Sequence, residues 1–327
     1  MHVKPTRVIA VDWSGARRGA DRRLWLAEVA EGRVQRLENG RSREQVTAEL
    51  VRIARAARAA GERVVVGLDF AFGFPAWYMR ERGWSRGHHA WAAFTEPVVD
   101  ALLSSPTAPF WGRGAVRTRP VMSGDPLRAT ERAQSARPFS VFQLVGAGAV
   151  GTASLRGMAT LHALSGAGAS IWPFDDDPGG AGAVVAEVWP RLAAPLVVKS
   201  NAEARVAHLR TVSGSAAVHG VRDLESWERE VRASDDAFDA LMAAVALWTA
   251  RAALAQLPAD VAPVERLEGR LLELTPLALP EGRMPAATLP EERMPAATLP
   301  DDRTQTRASP QRLRRSADGA DRSPRRG

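Results

Sequence analysis

The sequence predicts an α/β fold in which helices flank a mixed central sheet, followed by a disordered C-terminal tail. Three strand-like segments precede a long helix, and the strongly β-branched segment Arg63–Phe70 follows it. Strands that alternate with helices are typical of α/β domains. The tail is indicated by a change of composition near Pro276, where repeats and charged residues replace the apolar pattern.

The first three strands are predicted to form a meander. Arg7–Asp12 contains the apolar run Val8–Val11, which suits a buried strand. Leu24–Val29 and Arg33–Leu37 are two further strands, and a turn at Gly32 connects them.

Helical periodicity marks two later elements. Apolar residues recur at helical spacing through Glu44–Ala60, and Gly61 follows as a stop signal. Further along, Gly182–Trp189 is predicted to be a strand and Ser234–Leu257 a long helix. Residues 75–180 are rich in Gly, Pro, Arg and Trp, and we expect an irregular insertion of short helices and loops there.

The end of the chain has the composition of a disordered tail. EGRMPAATLP at Glu281–Pro290 is repeated as EERMPAATLP at Glu291–Pro300, and its regularly spaced prolines oppose helix and sheet. Residues 301–327 are rich in arginine and nearly free of apolar residues, so they cannot offset their chain entropy by burial. We expect one folded domain over residues 1–276 and a disordered tail over residues 277–327.

Composition excludes several classes of function. The 327 residues contain no cysteine, which excludes disulfides, thiolate metal sites and cysteine nucleophiles. The net charge is +7 and nearly all basic residues are arginine. Arginine binds phosphate bidentately, which suits a nucleic-acid partner, although a GC-rich genome gives the same excess. Neither an apolar run of about 18 residues nor a signal-peptide pattern is present, which predicts a cytoplasmic protein without a membrane partner.

Acidic residues interrupt or end the apolar elements. Asp12 lies in VIAVDWSG, Asp69 in VVVGLDFAFGFP and Glu187 in VVAEVWP. The segment SDDAFDAL opens the last helix and contains Asp236 and Asp239. A lone buried carboxylate is costly and normally needs a partner or a cation. Hard oxygen ligands favour magnesium or manganese, so these residues predict a shared divalent-metal site.

Simpler roles compete at each acidic position. An aspartate at the end of a strand often caps the next turn, and this applies to Asp12 and Asp69. Ser234 would cap the last helix, where acidic neighbours complement the helix dipole. Asp239 lies beyond the first turn and borders the buried stripe, which favours a functional role. The acidic run at 175–177 is predicted to be a solvated loop.

Six short motifs occur in an order that resembles a known family. They are VDWSGA from Val11, GLDFAFGFP from Gly67, VGTASLRGM from Val150, WPFD from Trp172, EVWP from Glu187 and the DAL of SDDAFDAL. On these motifs the chain resembles the domain-of-unknown-function family numbered 429, which is regarded as a predicted nuclease with a ribonuclease H-like fold. The resemblance covers about Val8 to Ala253.

The resemblance implies a ribonuclease H-like domain that cleaves DNA or RNA with two metal ions. The acidic motif positions fall on Asp12, Asp69, Glu187 and Asp239, which are implied to be catalytic and to bind Mg²⁺ or Mn²⁺. Where related proteins more often have histidine, this chain has Asp236, which we expect to assist in metal binding. Two such ions would activate water and stabilise the leaving oxygen.

Further residues are candidates for substrate contact. Arg113, Arg117 and Arg119 lie in the glycine-containing segment RGAVRTR, which suits phosphate binding. Arg156 lies in the family-like SLRG motif. Ser14 lies in a D-x-S-G turn that also resembles the phosphate-contacting first hairpin of actin-like ATPases and sugar kinases.

Other functions stay open at this point. A non-catalytic nucleic-acid-binding module would use the same fold without turnover, and an actin-like or sugar-kinase-type phosphotransferase would need a second, duplicated domain. The segment Gly146–Gly151 fits G-x-G-x-x-G and by itself would indicate an NAD(P)-binding oxidoreductase. The elements around it do not fit a Rossmann unit, so close backbone packing is the preferred interpretation. Trp77, Trp84 and Trp91, interleaved with arginines, suit base stacking or, more simply, core packing.

Overall fold

One six-stranded mixed sheet forms the centre of the molecule. The computed structural model describes residues 2–134, 138–146, 149–177, 179–215 and 219–277. The strands are β1 (Arg7–Asp12), β2 (Trp25–Ala30), β3 (Arg33–Glu38), β4 (Arg63–Leu68), β5 (Ser170–Trp172) and β6 (Gly182–Glu187). Their order is β3-β2-β1-β4-β6-β5. The pairs β1–β2 and β2–β3 are antiparallel, and β1, β4, β6 and β5 are mutually parallel, so the predicted mixed sheet with its meander is confirmed.

Helices cover both faces of this sheet. They are α1 (Ala20–Arg23), α2 (Arg43–Ala60), α3 (Ala76–Glu81), α4 (Gly87–Ala93), α5 (Glu96–Ser104), α6 (Ala129–Arg132), α7 (Gly151–Gly166), α8 (Ala202–Gly214), α9 (Glu228–Ala233), α10 (Asp235–Thr249) and α11 (Pro263–Glu268). Alternate residues of a strand point to opposite faces. In β1, Val8 and Ala10 join the core formed with α8 and α10, whereas Ile9 and Val11 join the core formed with α2 and α7. Both faces of the sheet are therefore buried, so a functional site is expected at its edges.

A local signal sets the start of α2. The helix begins at Arg43, one residue before the predicted start. The Gln45 backbone N–H donates to the Ser42 hydroxyl (3.3 Å), and the Ser42 N–H donates to the Gln45 side chain (2.8 Å). This reciprocal capping box satisfies two N–H groups that would otherwise lack partners at the helix start.

Long-range hydrogen bonds end the last long helix early. The helix α10 stops at Thr249, so the helix predicted to reach Leu257 is wrong in its last part. Arg63 Nε donates to the Leu254 carbonyl (3.1 Å), and the Leu257 N–H donates to Asp177 (2.7 Å). Asp177 is 4% exposed and pairs with Arg63 at 2.5 Å. The predicted solvated loop is therefore also wrong at Asp177, which is a buried tie between distant segments.

The segment 75–180 is more regular than predicted. It contains α3 to α7 and β5, including the 16-residue helix α7. Trp91 is buried, and its indole N–H donates to the Phe72 carbonyl (2.8 Å). Core packing is thus the observed role of this tryptophan.

Two further predictions concern the C-terminal tail and membrane-spanning helices. The predicted tail lies, from residue 278 onward, outside the described residues. Within the described part, no helix has both the length and the apolar character needed to cross a bilayer.

Candidate active site at the carboxyl edge of the sheet

Two parallel strands bring a first pair of aspartates together. Asp12 ends β1, and Asp69 directly follows β4. The Asp69 backbone N–H donates to the Val11 carbonyl (3.0 Å), and the Asp12 and Asp69 side chains are hydrogen-bonded to each other. The carboxyl ends of strands are the usual place for ligand sites in open α/β sheets. The two positions meet there as predicted.

The last long helix contributes a second pair. Ser234 caps α10, because its hydroxyl accepts the Ala237 N–H (3.1 Å). Asp236 and Asp239 are three residues apart and therefore lie on one side of the helix, which packs against β1 and β2. All four aspartates line one open cavity of about 510 Å³, which we call the aspartate cavity.

Burial and mutual repulsion disfavour four negative charges in the aspartate cavity. Burial raises the pKa of Asp12 well above its ordinary value, and the charges of Asp69 and Asp239 raise it further. Burial, followed by the charge of Asp239, raises the pKa of Asp69 to about 7. Burial and its acidic neighbours raise the pKa of Asp236 to about 6. Carboxylates placed in this way hold shared protons unless a cation compensates them.

Three basic side chains, Lys199, Arg23 and Arg113, line the same cavity. The Lys199 ammonium donates to the Asp239 carboxylate. Burial lowers the pKa of Lys199, but the nearby carboxylates, Asp239 first, raise it by more. Arg23 acts on Asp236, whose pKa it lowers in part. Within the described part of the chain, neither aspartate at the strand ends has a salt-bridge partner.

The donor chemistry of the cavity suits a hard divalent cation, because its aspartates offer only oxygen. The side chains are nevertheless not gathered around one point. Among the described residues, no group of three or more His, Cys, Asp or Glu is placed to hold a metal ion. Asp12 bonds to Asp69, and Lys199 holds Asp239. The oxygen donors thus fit a cation, although the described side chains do not converge on one position.

Glu187 does not line the aspartate cavity; it lies next to Asp69 in a second cavity, where it forms a buried ion pair. Arg128 donates to both of its carboxylate oxygens (2.8 and 2.5 Å), and the Phe72 N–H donates to Oε2 (2.9 Å). Arg128 also donates from Nε to Glu131 (3.0 Å). These three charged side chains line this second, more enclosed cavity of about 280 Å³. The role of Glu187 as a catalytic metal ligand stays a prediction, and its present contacts are those of a structural ion pair.

The predicted substrate contacts are spread over several places. Ser14 and Arg113 line the aspartate cavity. Arg117 is exposed outside it, and Arg119 lines a separate surface cavity. Arg156 is 4% exposed and is bound by two acidic residues of α5 at 2.5 and 2.6 Å. The structure therefore brings only Ser14 and Arg113 of this group to the aspartates.

Close packing explains the glycines of three motifs. A Cβ on Gly15 would lie 2.4 Å from a backbone nitrogen in the first turn of α7, so this glycine lets the DWSG turn press against the helix. A Cβ on Gly157, in SLRG, would lie 2.4 Å from the Phe70 ring. A Cβ on Gly151 would lie 2.4 Å from the Val141 carbonyl oxygen, in line with the packing interpretation of the glycine-rich segment, of which residues 147–148 lie outside the described part.

Sequence reasoning missed the residues that form the second cavity. Arg128 is almost completely buried, and a buried arginine has no periodic signature. The one local signal is the spacing of Arg128 and Glu131, because Glu131 accepts the Arg128 backbone N–H (2.8 Å) as a helix cap does. Trp13 lines both cavities, although the VDWSGA motif drew attention only to its neighbours.

Comparisons with known proteins add no name to this site. No family model, no curated protein and no solved structure matches the chain. The resemblance to the family numbered 429 therefore stays a prediction, and function has to be argued from the site itself.

Proposed function

We propose that this protein is a metal-dependent phosphodiesterase, and specifically a nuclease, with a ribonuclease H-like fold. The observation that carries the proposal is the aspartate cavity. Asp12 and Asp69 lie half-buried side by side there with raised pKa values, and no described residue forms a salt bridge with either. Carboxyl groups without a salt-bridge partner, bordered by basic side chains, suit a cation that is bound together with an anionic substrate.

The topology of the sheet supports the proposed fold. An antiparallel meander leads through α2 into β4, which returns parallel to β1, and β6 then adds in parallel beside β4. This is the strand–strand–strand–helix–strand order that the resemblance implies for a ribonuclease H-like domain. It also puts the carboxyl ends of β1 and β4 beside α10, as that fold requires of its acidic residues.

The residues of the cavity have separate roles in this proposal. Asp12, Asp69, Asp236 and Asp239 would hold Mg²⁺ or Mn²⁺. When bound, such ions activate water and stabilise the leaving oxygen of a phosphodiester. Lys199 would exchange its bond to Asp239 for a phosphate oxygen, and Arg113 would neutralise a second part of the DNA or RNA backbone, because both line the same cavity.

The test is a cleavage assay with labelled single-stranded DNA, duplex DNA, branched DNA and RNA, each with magnesium and with a chelator. We expect metal-dependent cleavage of at least one substrate. Asp12→Asn should abolish it without loss of fold, as followed by circular dichroism. Asp260→Asn, which changes an exposed carboxylate outside the cavity, is the matched control and should cleave normally. Full activity of the Asp12 variant would refute the proposal.

A second candidate is a nucleic-acid-binding module without turnover. One observation favours it, namely that the Lys199 ammonium donates to the carboxylate of Asp239, one of the proposed metal ligands. This candidate predicts binding in chelator and no cleavage of any of the four substrates. The phosphotransferase and oxidoreductase alternatives receive no specific support from the described residues, and ATP turnover without cleavage would restore the first of them.

A further inference from the structure

We propose that the second cavity binds one nucleobase of the substrate and prefers guanine. The proposal rests on the proposed nuclease function for the kind of substrate and names the part of it that is recognised. The second cavity shares Trp13 and Asp69 with the aspartate cavity. A nucleotide whose phosphate lies at the aspartates can therefore place its own or a neighbouring base in the second cavity. The volume of about 280 Å³ is at the small end of ligand pockets, which suits one ring system better than a longer ligand.

Aromatic rings form much of the wall of this cavity. They belong to Trp13, Phe70, Phe139 and Trp189. Trp13 and Phe70 contact each other with ring centroids 5.3 Å apart, and Gly157 fixes Phe70 from behind by close packing. Phe139 is 44% exposed, which leaves a large part of its surface free for a guest. Proteins that bind single strands stack unpaired bases on such rings.

Among the described residues, the polar end of the cavity supplies acceptors and no free guanidinium donor. Arg128 is saturated, because its three nitrogens bond to Glu131, to Glu187 and to the Glu268 carbonyl. The remaining hydrogen-bonding capacity is the lone pairs of the two carboxylates. A guest must therefore bring N–H groups. Guanine presents a ring N–H and an amino group side by side, whereas uracil offers one ring N–H and adenine and cytosine one amino group each.

The charge of the second cavity favours a nucleobase over a phosphate group as its occupant. Two carboxylates, Glu131 and Glu187, face one guanidinium, so a phosphate would meet net repulsion there. The indole N–H of Trp13, a residue that lines both cavities, is buried and has no acceptor within the described residues. An organic cation is the alternative ligand, because aromatic walls and negative charge also bind cations. The base is preferred because the cavity shares a wall with the proposed phosphate site.

The test measures nucleoside binding, which needs neither metal nor turnover. Guanosine, adenosine, cytidine and uridine are titrated in chelator and followed by calorimetry and saturation-transfer NMR, with choline and arginine as cationic probes. We expect guanosine to bind best. Phe139→Ala should weaken its binding roughly 5- to 10-fold, the low end of the range for loss of a stacking partner, since the ring is half exposed. Phe139→Trp should keep the binding, and Val98→Ala, which removes a similarly exposed apolar side chain outside the cavity, should not change it.

Three results would overturn the base site. They are no saturable binding of guanosine up to its solubility limit, guanosine binding that is insensitive to Phe139→Ala, and preferential binding of choline or arginine. The outcomes are independent of the nuclease assay. Guanosine binding without cleavage of any nucleic acid supports the base site and removes the nuclease proposal, whereas cleavage without nucleoside binding does the reverse.

Discussion

Replacing Asp69 with asparagine should stabilise the metal-free protein at pH 8 and leave its stability at pH 4 nearly unchanged. The carboxyl group has a pKa of about 7 in the folded protein, against an ordinary value of 3.8, because of burial first and the charge of Asp239 second. A raised folded pKa means that the folded state binds more protons than the unfolded state between these two values. The free energy of unfolding therefore falls as the pH rises from about 4 to about 7.

The size of the effect follows from the shift. About three units at about 1.36 kcal/mol each give a ceiling of about 4 kcal/mol. Asp69 is partly exposed, so solvent screening reduces the value. We expect Asp69→Asn to gain about 1–2 kcal/mol at pH 8.

The assay is urea unfolding in chelator at pH 4, 6 and 8, read as the difference between Asp69→Asn and the unchanged protein, so that other titrating groups cancel. Asp260→Asn is the control and should show no pH-dependent difference. A difference that is equal at all three pH values, or a variant that is less stable at pH 8, would show that Asp69 is not held in an uncompensated cluster. Added Mg²⁺ should stabilise the unchanged protein at pH 8 more than the variant, because a cation that binds only the folded state raises its stability.

Two further predictions concern the walls of the site. Arg128→Ala should lower the free energy of unfolding by about 3–5 kcal/mol, because two buried glutamates lose their cation, and a loss below about 1 kcal/mol in urea unfolding would contradict the buried ion pair. Gly157→Ala should cost about 1–3 kcal/mol, because its new Cβ would lie 2.4 Å from the Phe70 ring. Gly166→Ala, at the end of the same helix, would meet no atom within 4 Å and should be neutral or stabilising by up to about 1 kcal/mol. Equal thermal midpoints of these two glycine variants would refute the packing argument.

The sequence is informative where one local pattern decides the structure. The apolar runs of β1 and β4 predict two buried strands, and the fact that both end in aspartate is visible in the sequence itself. Once the strands are parallel neighbours, Asp12 and Asp69 must lie at the same edge. Helical spacing likewise puts Asp236 and Asp239 on one side of α10.

The sequence is uninformative where the partner of a charge is far along the chain. Glu187 has the same local context as Asp69, namely an acid at the end of a buried strand. Arg128, 59 residues earlier, occupies both oxygens of Glu187, and no periodicity reveals that pairing. Asp177 was mistaken for a solvated residue for the same reason, since Arg63 lies 114 residues away from it. Arg156, predicted to contact substrate, is held instead by acids of α5.

Compensation of charge therefore distinguishes carboxylates that look alike in the sequence. Both carboxylate oxygens of Glu187 accept hydrogen bonds inside the protein, so it can hold the fold together without a ligand. Asp12 and Asp69 lie half-buried at the same edge of the sheet, where desolvation and neighbouring carboxylates raise their pKa values, and neither has a described salt-bridge partner. A buried group that remains unstable in its charged form is costly to the fold, and the cost is tolerable where a bound cation offsets it during function. The two aspartates at the strand ends therefore carry the proposed function, whereas the neighbouring ion pair of Glu187 and Arg128 shapes the second cavity.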